Sequence, residues 1–361
     1  MTTWSCAALS LGAPIEGTPP MPNARASRRG LTLVVCGTAA IVLTSCSSAS
    51  TTATSTTSTP GSKKLTIAFV MGAEADPFFK AMKVGADAEA AAKGVNLIWQ
   101  GDPAQYSPAT QIPYVDQVLA QKPSGLVLIP TDPDALQPSV AKAVGAGVPV
   151  VNVDTHVTDL SSVLSFITGD NADGGAKAAD SMATAIGYQA GGSYQVVVGL
   201  TSATATTNVA RLDGFTKQIA SKYPGIKIVD KAYSQSQAAT ANTNVSNWLT
   251  KYPKLNGIFA IDGTNATGAA AALQAKGLVG KIALIGYDAY PANVALLKSG
   301  VFTALIAQNP AAEAKLAIDD LVSYLNNGKS KTGIEATVVI PNVVLSKSTS
   351  AEDVTKYTYV S

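Results

Sequence analysis

Residues 65–70 read Leu-Thr-Ile-Ala-Phe-Val, and residues 76–92 read Asp-Pro-Phe-Phe-Lys-Ala-Met-Lys-Val-Gly-Ala-Asp-Ala-Glu-Ala-Ala-Ala. The first stretch is short and apolar, as a strand covered on both faces must be. The second places Phe78, Phe79, Met82, Gly85–Ala86 and Ala90 at helical spacing. Asp76 supplies a capping side chain there, and Pro77 suits the first helical position. Strand then helix makes one βα unit, and the pattern recurs. Val/Ile-rich runs stand at 95–98, 126–129, 148–153, 163–167, 195–200, 226–229, 257–261, 282–285 and 303–307, with helix-length stretches between most of them. This alternation predicts an α/β fold of mainly parallel sheets with helices on both faces. Asp132-Pro133 and Asn309-Pro310 mark two more helix starts, and 204–222 reads as a helix with Thr206, Thr207 and Asn208 near its beginning. The units divide near Thr168–Gly169. About three hundred residues from Leu65 onward are too many for one compact core, so two lobes are expected.

Ahead of this region lies a different kind of sequence. Arg25, Arg28 and Arg29 precede an apolar run, Leu31 to Leu43, that closes on Leu43-Thr44-Ser45-Cys46. A basic head, an apolar core too short to cross a bilayer and a small-residue end describe a secretory signal over residues 1–45. The start lies at Met1 or at Met21, because the first twenty residues have no signal character. The last four residues resemble the lipobox of bacterial lipoproteins, which implies a lipid on the Cys46 sulfur and an anchor to the outer face of a membrane. Residues 46–64 would then be the lipidated cysteine and a tether, since Ser47 to Lys64 is nearly all Ser, Thr and Ala and has nothing to bury. Cys6 and Cys36 leave with the signal, so the folded part has no disulfide, thiolate metal site or cysteine nucleophile. The net charge of +2 is unclustered and gives no footprint for nucleic acid.

In open parallel sheets, ligands bind beyond the carboxyl ends of the strands. The polar residues just past the apolar runs are Asp154, Asp262, Asp288 and Gln308. A strand-end Asp is often only the cap of the next helix. Asp132 has proline directly after it and reads as a cap. For Asp288 the next helix starts near Pro291, and for Gln308 the better cap is Asn309, so these two are free for a ligand. Position alone leaves Asp154 and Asp262 open between cap and ligand. Carboxylates and an amide suit a neutral polyol, whose hydroxyls donate to them, and aromatic rings suit the apolar faces of a sugar. Phe78-Phe79 opens a helix at the same edge, with one ring expected in the core and one toward the ligand.

Asp76-Pro-Phe-Phe, Pro130-Thr-Asp-Pro-Asp-Ala, Val148-Pro-Val-Val-Asn-Val-Asp, Ile258-Phe-Ala-Ile-Asp and Ile285-Gly-Tyr-Asp, in that order, resemble the ribose-type sugar-binding proteins of bacteria. These are the type I periplasmic binding proteins that serve ABC importers. The likeness runs from Leu65 to about Leu345. It implies two Rossmann-like lobes joined by a three-crossing hinge, with residues 65–168 and 309–337 in the first lobe and 169–308 and 338–361 in the second. It implies a monomer that closes on a sugar or polyol and delivers it to a membrane permease. By the same likeness, Phe78 and Phe79 stack on the sugar ring, Asp154, Asp288 and Gln308 bond it, and Asp76 and Asp262 stand where asparagines are usual. Thr155 replaces a ligand arginine, and a second falls near Asn208 or Val209. Arg211 matches a structural arginine, and a second-lobe aromatic maps near Tyr233 to Ser236. With both arginines gone, another pentose, a hexose, a polyol or a furanosyl signal molecule fits as well as ribose. Trp99, before the long loop Gln100–Pro108, reads as core.

The rival class is an enzyme. Past the signal the chain has one histidine, His156, no cysteine nucleophile, no glycine-rich phosphate loop and no metal-ligand spacing. The expectation is therefore a binding protein with no cofactor, no metal and no turnover. A sugar-responsive repressor would carry a helix-turn-helix before Leu65, where the tether stands instead. Import and presentation to a membrane sensor remain open alternatives.

Overall fold

The computed structural model describes Lys64 to Val360. The expected signal, the lipidation site Cys46 and the Ser/Thr stretch through residue 63 lie outside the described residues. The chain first builds β1 (Thr66–Met71), α1 (Pro77–Lys93), β2 (Asn96–Gly101), α2 (Pro108–Ala120), β3 (Gly125–Leu128), α3 (Gln137–Gly145), β4 (Val150–Val153) and β5 (Ser165–Gly169). It then builds α4 (Asn171–Ala185), β6 (Tyr194–Leu200), α5 (Thr206–Lys222), β7 (Ile226–Tyr233), α6 (Ala238–Lys251), β8 (Leu255–Ala260), α7 (Gly263–Ala275), β9 (Ala283–Tyr287), α8 (Pro291–Ser299) and β10 (Ala304–Ala307). Last come α9 (Pro310–Asn326), β11 (Thr337–Ile340), β12 (Val343–Ser346) and α10 (Ala351–Tyr357).

The strands form two six-stranded sheets, ordered β2-β1-β3-β4-β5-β11 and β7-β6-β8-β9-β10-β12. Every pairing is parallel except β10 with β12. The ten apolar runs read from the sequence are β1 to β10. The α/β expectation therefore holds, and its cause is visible: β3, β4, β5 and β10 are buried at every position. Strands covered on both faces leave water only by being apolar throughout. β11 and β12 escaped the reading because they are four-residue edge strands, and β11 alternates exposed and half-buried residues.

β11 corrects one boundary. It pairs with β5 through Ile340, so residues 338–340 belong to the first sheet and the third crossing falls at Pro341-Asn342 rather than between 337 and 338. The other two crossings follow β5 at Gly169 and β10 at Gln308. Asn342 ties two crossings together, donating from Nδ2 to the Asp170 carbonyl at 2.9 Å and to the Tyr287 hydroxyl at 2.6 Å.

Caps fix where helices begin, and so where cleft residues point. Asp76 accepts from the Phe78 N–H and Asn309 from the Ala312 N–H, as their prolines imply. Asp132 differs: its carboxylate takes the N–H groups of Asp134 and Ala135 in a turn, and α3 begins only at Gln137. In the second lobe α4 and α5 cross at backbone contact. A Cβ on Gly175 would lie 2.0 Å from the Arg211 carbonyl oxygen, and one on Gly214 would lie 2.0 Å from that of Ala172. The missing side chains let α5 sit deep enough to carry Arg211 to the sheet edge.

Candidate ligand-binding cleft

The carboxyl edges of the two sheets face one another across a cleft, where ligands of parallel sheets bind. Its walls are strand ends. From the first lobe come Asp76 past β1, Phe78 and Phe79 at the start of α1, Tyr106, and Asp154 directly after β4. From the second come Thr201 after β6, Asn208 and Arg211 on α5, Ser236 past β7, Asp262 past β8, Asp288 directly after β9, and Tyr290, while Gln308 sits at the second crossing. Seven of the nine residues expected at the site therefore line one space with Asn208, which makes eight. Thr155 does not. It is buried with its hydroxyl donating to the Pro130 carbonyl at 2.7 Å, because it follows Asp154 and faces the opposite way.

The carboxylates differ in how far the protein already satisfies them. Asp288 is saturated. Its Oδ2 accepts the Gly263 N–H at 2.8 Å, and its Oδ1 accepts Gln308 Nε2 at 2.7 Å and the Tyr359 hydroxyl at 2.8 Å. It is thus employed as a cap after all, at the first residue of α7 rather than on the helix that follows it. Asp262 is the N-cap of α7, accepting from Asn265 N at 2.9 Å, and it also takes the Thr201 hydroxyl at 2.8 Å. The cap reading of that position therefore holds, and its carboxylate also lines the cleft. Asp76 accepts from Phe78 N, from Thr264 Oγ1 at 2.9 Å and from the Tyr290 hydroxyl. Asp154 is only 9% exposed, yet its carboxylate takes no hydrogen bond from any described residue.

Burial in the cleft shows in the acidities of Asp154, Asp76 and Asp262. Burial, opposed by Arg211 and aided by Asp288 and Asp76, lifts the Asp154 pKa to about 7. Burial lifts Asp76 to about 6 against the bonds from Tyr290 and Phe78, with the Asp288 charge adding to the rise. Burial also raises Asp262. Burial works against the Arg211 charge, but Tyr287 and the carboxylates of Asp288, Asp154 and Asp262 more than offset it. The guanidinium lies over the Tyr287 ring, 3.8 Å from its centroid, and donates to Asn171 Oδ1 at 2.7 Å and to the Ile261 carbonyl at 3.1 Å. Asn208 uses its Oδ1 to accept the Thr201 N–H at 2.6 Å.

Sequence reasoning did not place Tyr106, Thr201, Thr207, Arg211 or Tyr290 at the site. Arg211 was read as structural; it is that and a lining residue too. Tyr106 comes from the long loop Gln100–Pro108, while Trp99 stacks on Phe69 with centroids 5.1 Å apart, as a core residue. The second-lobe aromatic is Tyr290 rather than one near Tyr233, which is 43% exposed outside the cleft. Tyr290 stands two residues past Asp288, beyond the single step searched at each strand end. His156 lies outside this cleft and packs edge-on against Phe166 at 4.8 Å.

Residues 67–330 match the periplasmic binding protein domain. The chain belongs to the periplasmic binding protein family. Among relatives of this binding protein, the D-ribose/D-allose-binding protein of Pseudomonas aeruginosa is 30% identical over 295 residues, spanning 80% of this chain and 90% of that protein. A solute-binding protein of an ABC transporter from Agrobacterium vitis, solved with α-D-tagatopyranose, superposes with a TM-score of 0.77 at 32% identity, covering 82% of this chain and all 100% of that one. A carbohydrate-transporter solute-binding protein from Agrobacterium radiobacter, solved with D-arabinose, gives 0.76 at 28% identity, covering 82% of this chain and 99% of that one. The ribose-type resemblance read from five sequence segments thus holds for family and fold. The family serves transport rather than catalysis. Among the described residues no helix is long and apolar enough to cross a membrane.

Proposed function

We propose that this binding protein captures one monosaccharide or polyol between its lobes and hands it to an ABC import permease, acting as a monomer anchored outside the cell through lipid on Cys46. The observation that carries the reading is the Asp154 carboxylate, enclosed, turned into the cleft and without a donor of its own. Gln308 Oε1 is a second buried acceptor with no partner among the described residues. Free acceptors call for a ligand rich in hydroxyl donors. Phe78, Phe79 and Tyr106 offer rings for its C–H faces, and Arg211, Asn208 and Ser236 are placed to donate back. Asp262 and Asp288 would contribute what acceptor capacity their internal bonds leave. The named sugars of the relatives, ribose or allose, tagatose and arabinose, support a monosaccharide-sized guest. Here no arginine follows Asp154, so the guest need not be ribose.

Ligand contacts drawn from both lobes form together only when the lobes close, and a solute shifts that balance by its preference for the closed state. The lobes would move as residues 65–169 with 309–340 against 170–308 with 342–360, about the three crossings. A thermal-shift screen over pentoses, hexoses, deoxy sugars and polyols tests the proposal, since a bound solute raises the melting temperature by mass action. One sugar or polyol should raise it by several degrees, with calorimetry then giving a single site. A flat screen across the panel overturns the reading. Mass analysis of the mature N-terminus, with Cys46→Ser released into the medium, tests the anchor.

A further inference from the structure

Asp76 belongs to the first lobe, at the start of α1, while Tyr290 and Thr264 belong to the second, at the starts of α8 and α7. Both second-lobe hydroxyls donate to the one first-lobe carboxylate, Thr264 to Oδ2 at 2.9 Å and Tyr290 to Oδ1. We propose that Asp76 is an interlobe latch: Tyr290 and Thr264 close on it, so this residue sets the balance of closed to open forms instead of serving chiefly as a sugar ligand. Three internal bonds, counting that from Phe78 N, leave a carboxylate of about four acceptor positions little room for a guest.

The surroundings fit a device for closure. Tyr290 is 6% exposed and leans on Tyr359, 5.9 Å away, which in turn meets Phe78 of the first lobe at 6.2 Å. A ring held on its sides loses little further freedom when its hydroxyl bonds. Gly263 makes this reach possible, since a Cβ there would lie 2.1 Å from Tyr290 Cζ. The open state breaks both hydroxyl bonds at once and returns the carboxylate to water. A bond from a hydroxyl to a charged group is stronger than one between neutral groups, so two of them weigh heavily in an equilibrium of a few kcal/mol.

The inference rests on the two-lobe closure proposed above but not on which solute is bound, so its test needs no ligand. The full chain, freed of bound solute by unfolding and refolding, is compared with Tyr290→Phe, Thr264→Val and the double variant. The readouts are hydrogen exchange over residues 72–79 and 286–292 and small-angle scattering. Each lost hydroxyl should lower the closed-to-open ratio about ten-fold, read as faster exchange at both segments and a larger radius of gyration, with the double variant the most open. Tyr233→Phe, at an exposed tyrosine of the same lobe, should change neither. If Tyr290→Phe loses its circular dichroism signature, Thr264→Val alone carries the test. Exchange and scattering unchanged from the parent in Thr264→Val and in any folded Tyr290→Phe protein overturn the latch. A flat sugar screen alongside opened variants would instead leave the latch standing and remove the sugar reading.

Discussion

Asp154 and Asp288 are counterparts in the two lobes. Each directly follows the fourth strand of its sheet, each has a left-handed backbone (φ 61° and 68°), and each donates its N–H at 2.8 Å to the neighbouring strand, to Ile167 and Ile306 respectively. Left-handed geometry is uncommon outside glycine, and aspartate tolerates it better than most residues. In both lobes it turns the carboxylate off the strand and into the cleft. The two differ in what they meet there: the Asp288 carboxylate accepts from Gly263, Gln308 and Tyr359, and the Asp154 carboxylate accepts from no described residue.

That difference separates binding from stability. Asp154→Ala should weaken solute binding about ten- to a hundred-fold, since a hydrogen bond to a charged group contributes roughly 1.5–3 kcal/mol, while leaving the melting temperature near or above the parent value. Asp288→Ala should weaken binding and also lower stability, by about 2–4 kcal/mol, because Gly263 N, Gln308 and Tyr359 all lose their acceptor. Calorimetry and thermal melts on both variants check the contrast. Equal melting losses would contradict it.

Acidity gives a second prediction. The pKa of Asp76 rises from 3.8 to about 6 in the fold, and that of Asp154 from 3.8 to about 7. A raised acid favours the folded form when protonated, so this contribution is full below about pH 4 and is lost as pH rises through about 6 and about 7. The protein should therefore lose stability between about pH 4 and 7 by on the order of a few kcal/mol from these two groups. Asp76→Asn with Asp154→Asn should flatten the profile of melting temperature against pH. An unaltered slope would refute the assignment.

Glu313, on the first turn of α9, is wholly buried, and neither carboxyl oxygen has a partner among the described residues. Burial first, and the Asp154 charge after it, push its pKa well above the usual carboxylate range. Its contribution is lost as pH climbs from about 4.5 toward the raised value. Glu313→Gln should raise stability at pH 8 by about 1–3 kcal/mol and change it less at pH 5, read from denaturant midpoints at the two pH values.

The crossing of α4 and α5 yields a fourth. Gly175→Ala drives a methyl group into the Arg211 carbonyl and must move α5. Overpacking of this kind costs about 1–3 kcal/mol. Because Arg211 rides on α5, solute affinity should fall as well, whereas Gly277→Ala, with nothing near its Cβ position but a left-handed φ of 62°, should cost stability alone. Paired melts and calorimetry separate the two.

The alternation of apolar runs and helical spacing determined the α/β class, the parallel sheets and the division near Thr168–Gly169, because strands covered on both faces must be apolar along their whole length. Strand ends likewise announced Asp154, Asp262, Asp288 and Gln308, since a parallel sheet presents its carboxyl edge to ligands whatever its loops do. Tertiary structure alone decided which of these groups stay free. Whether Asp288 is saturated and Asp154 bare depends on Tyr359, seventy-one positions away in sequence from Asp288, and on a helix N-terminus from another unit. The roles of Tyr106, Tyr290 and Arg211, and the third crossing at Pro341-Asn342, follow from how distant segments meet. Local sequence encodes the apolar periodicity of each element, whereas hydrogen-bond partners across the cleft are set only when the two lobes pack together.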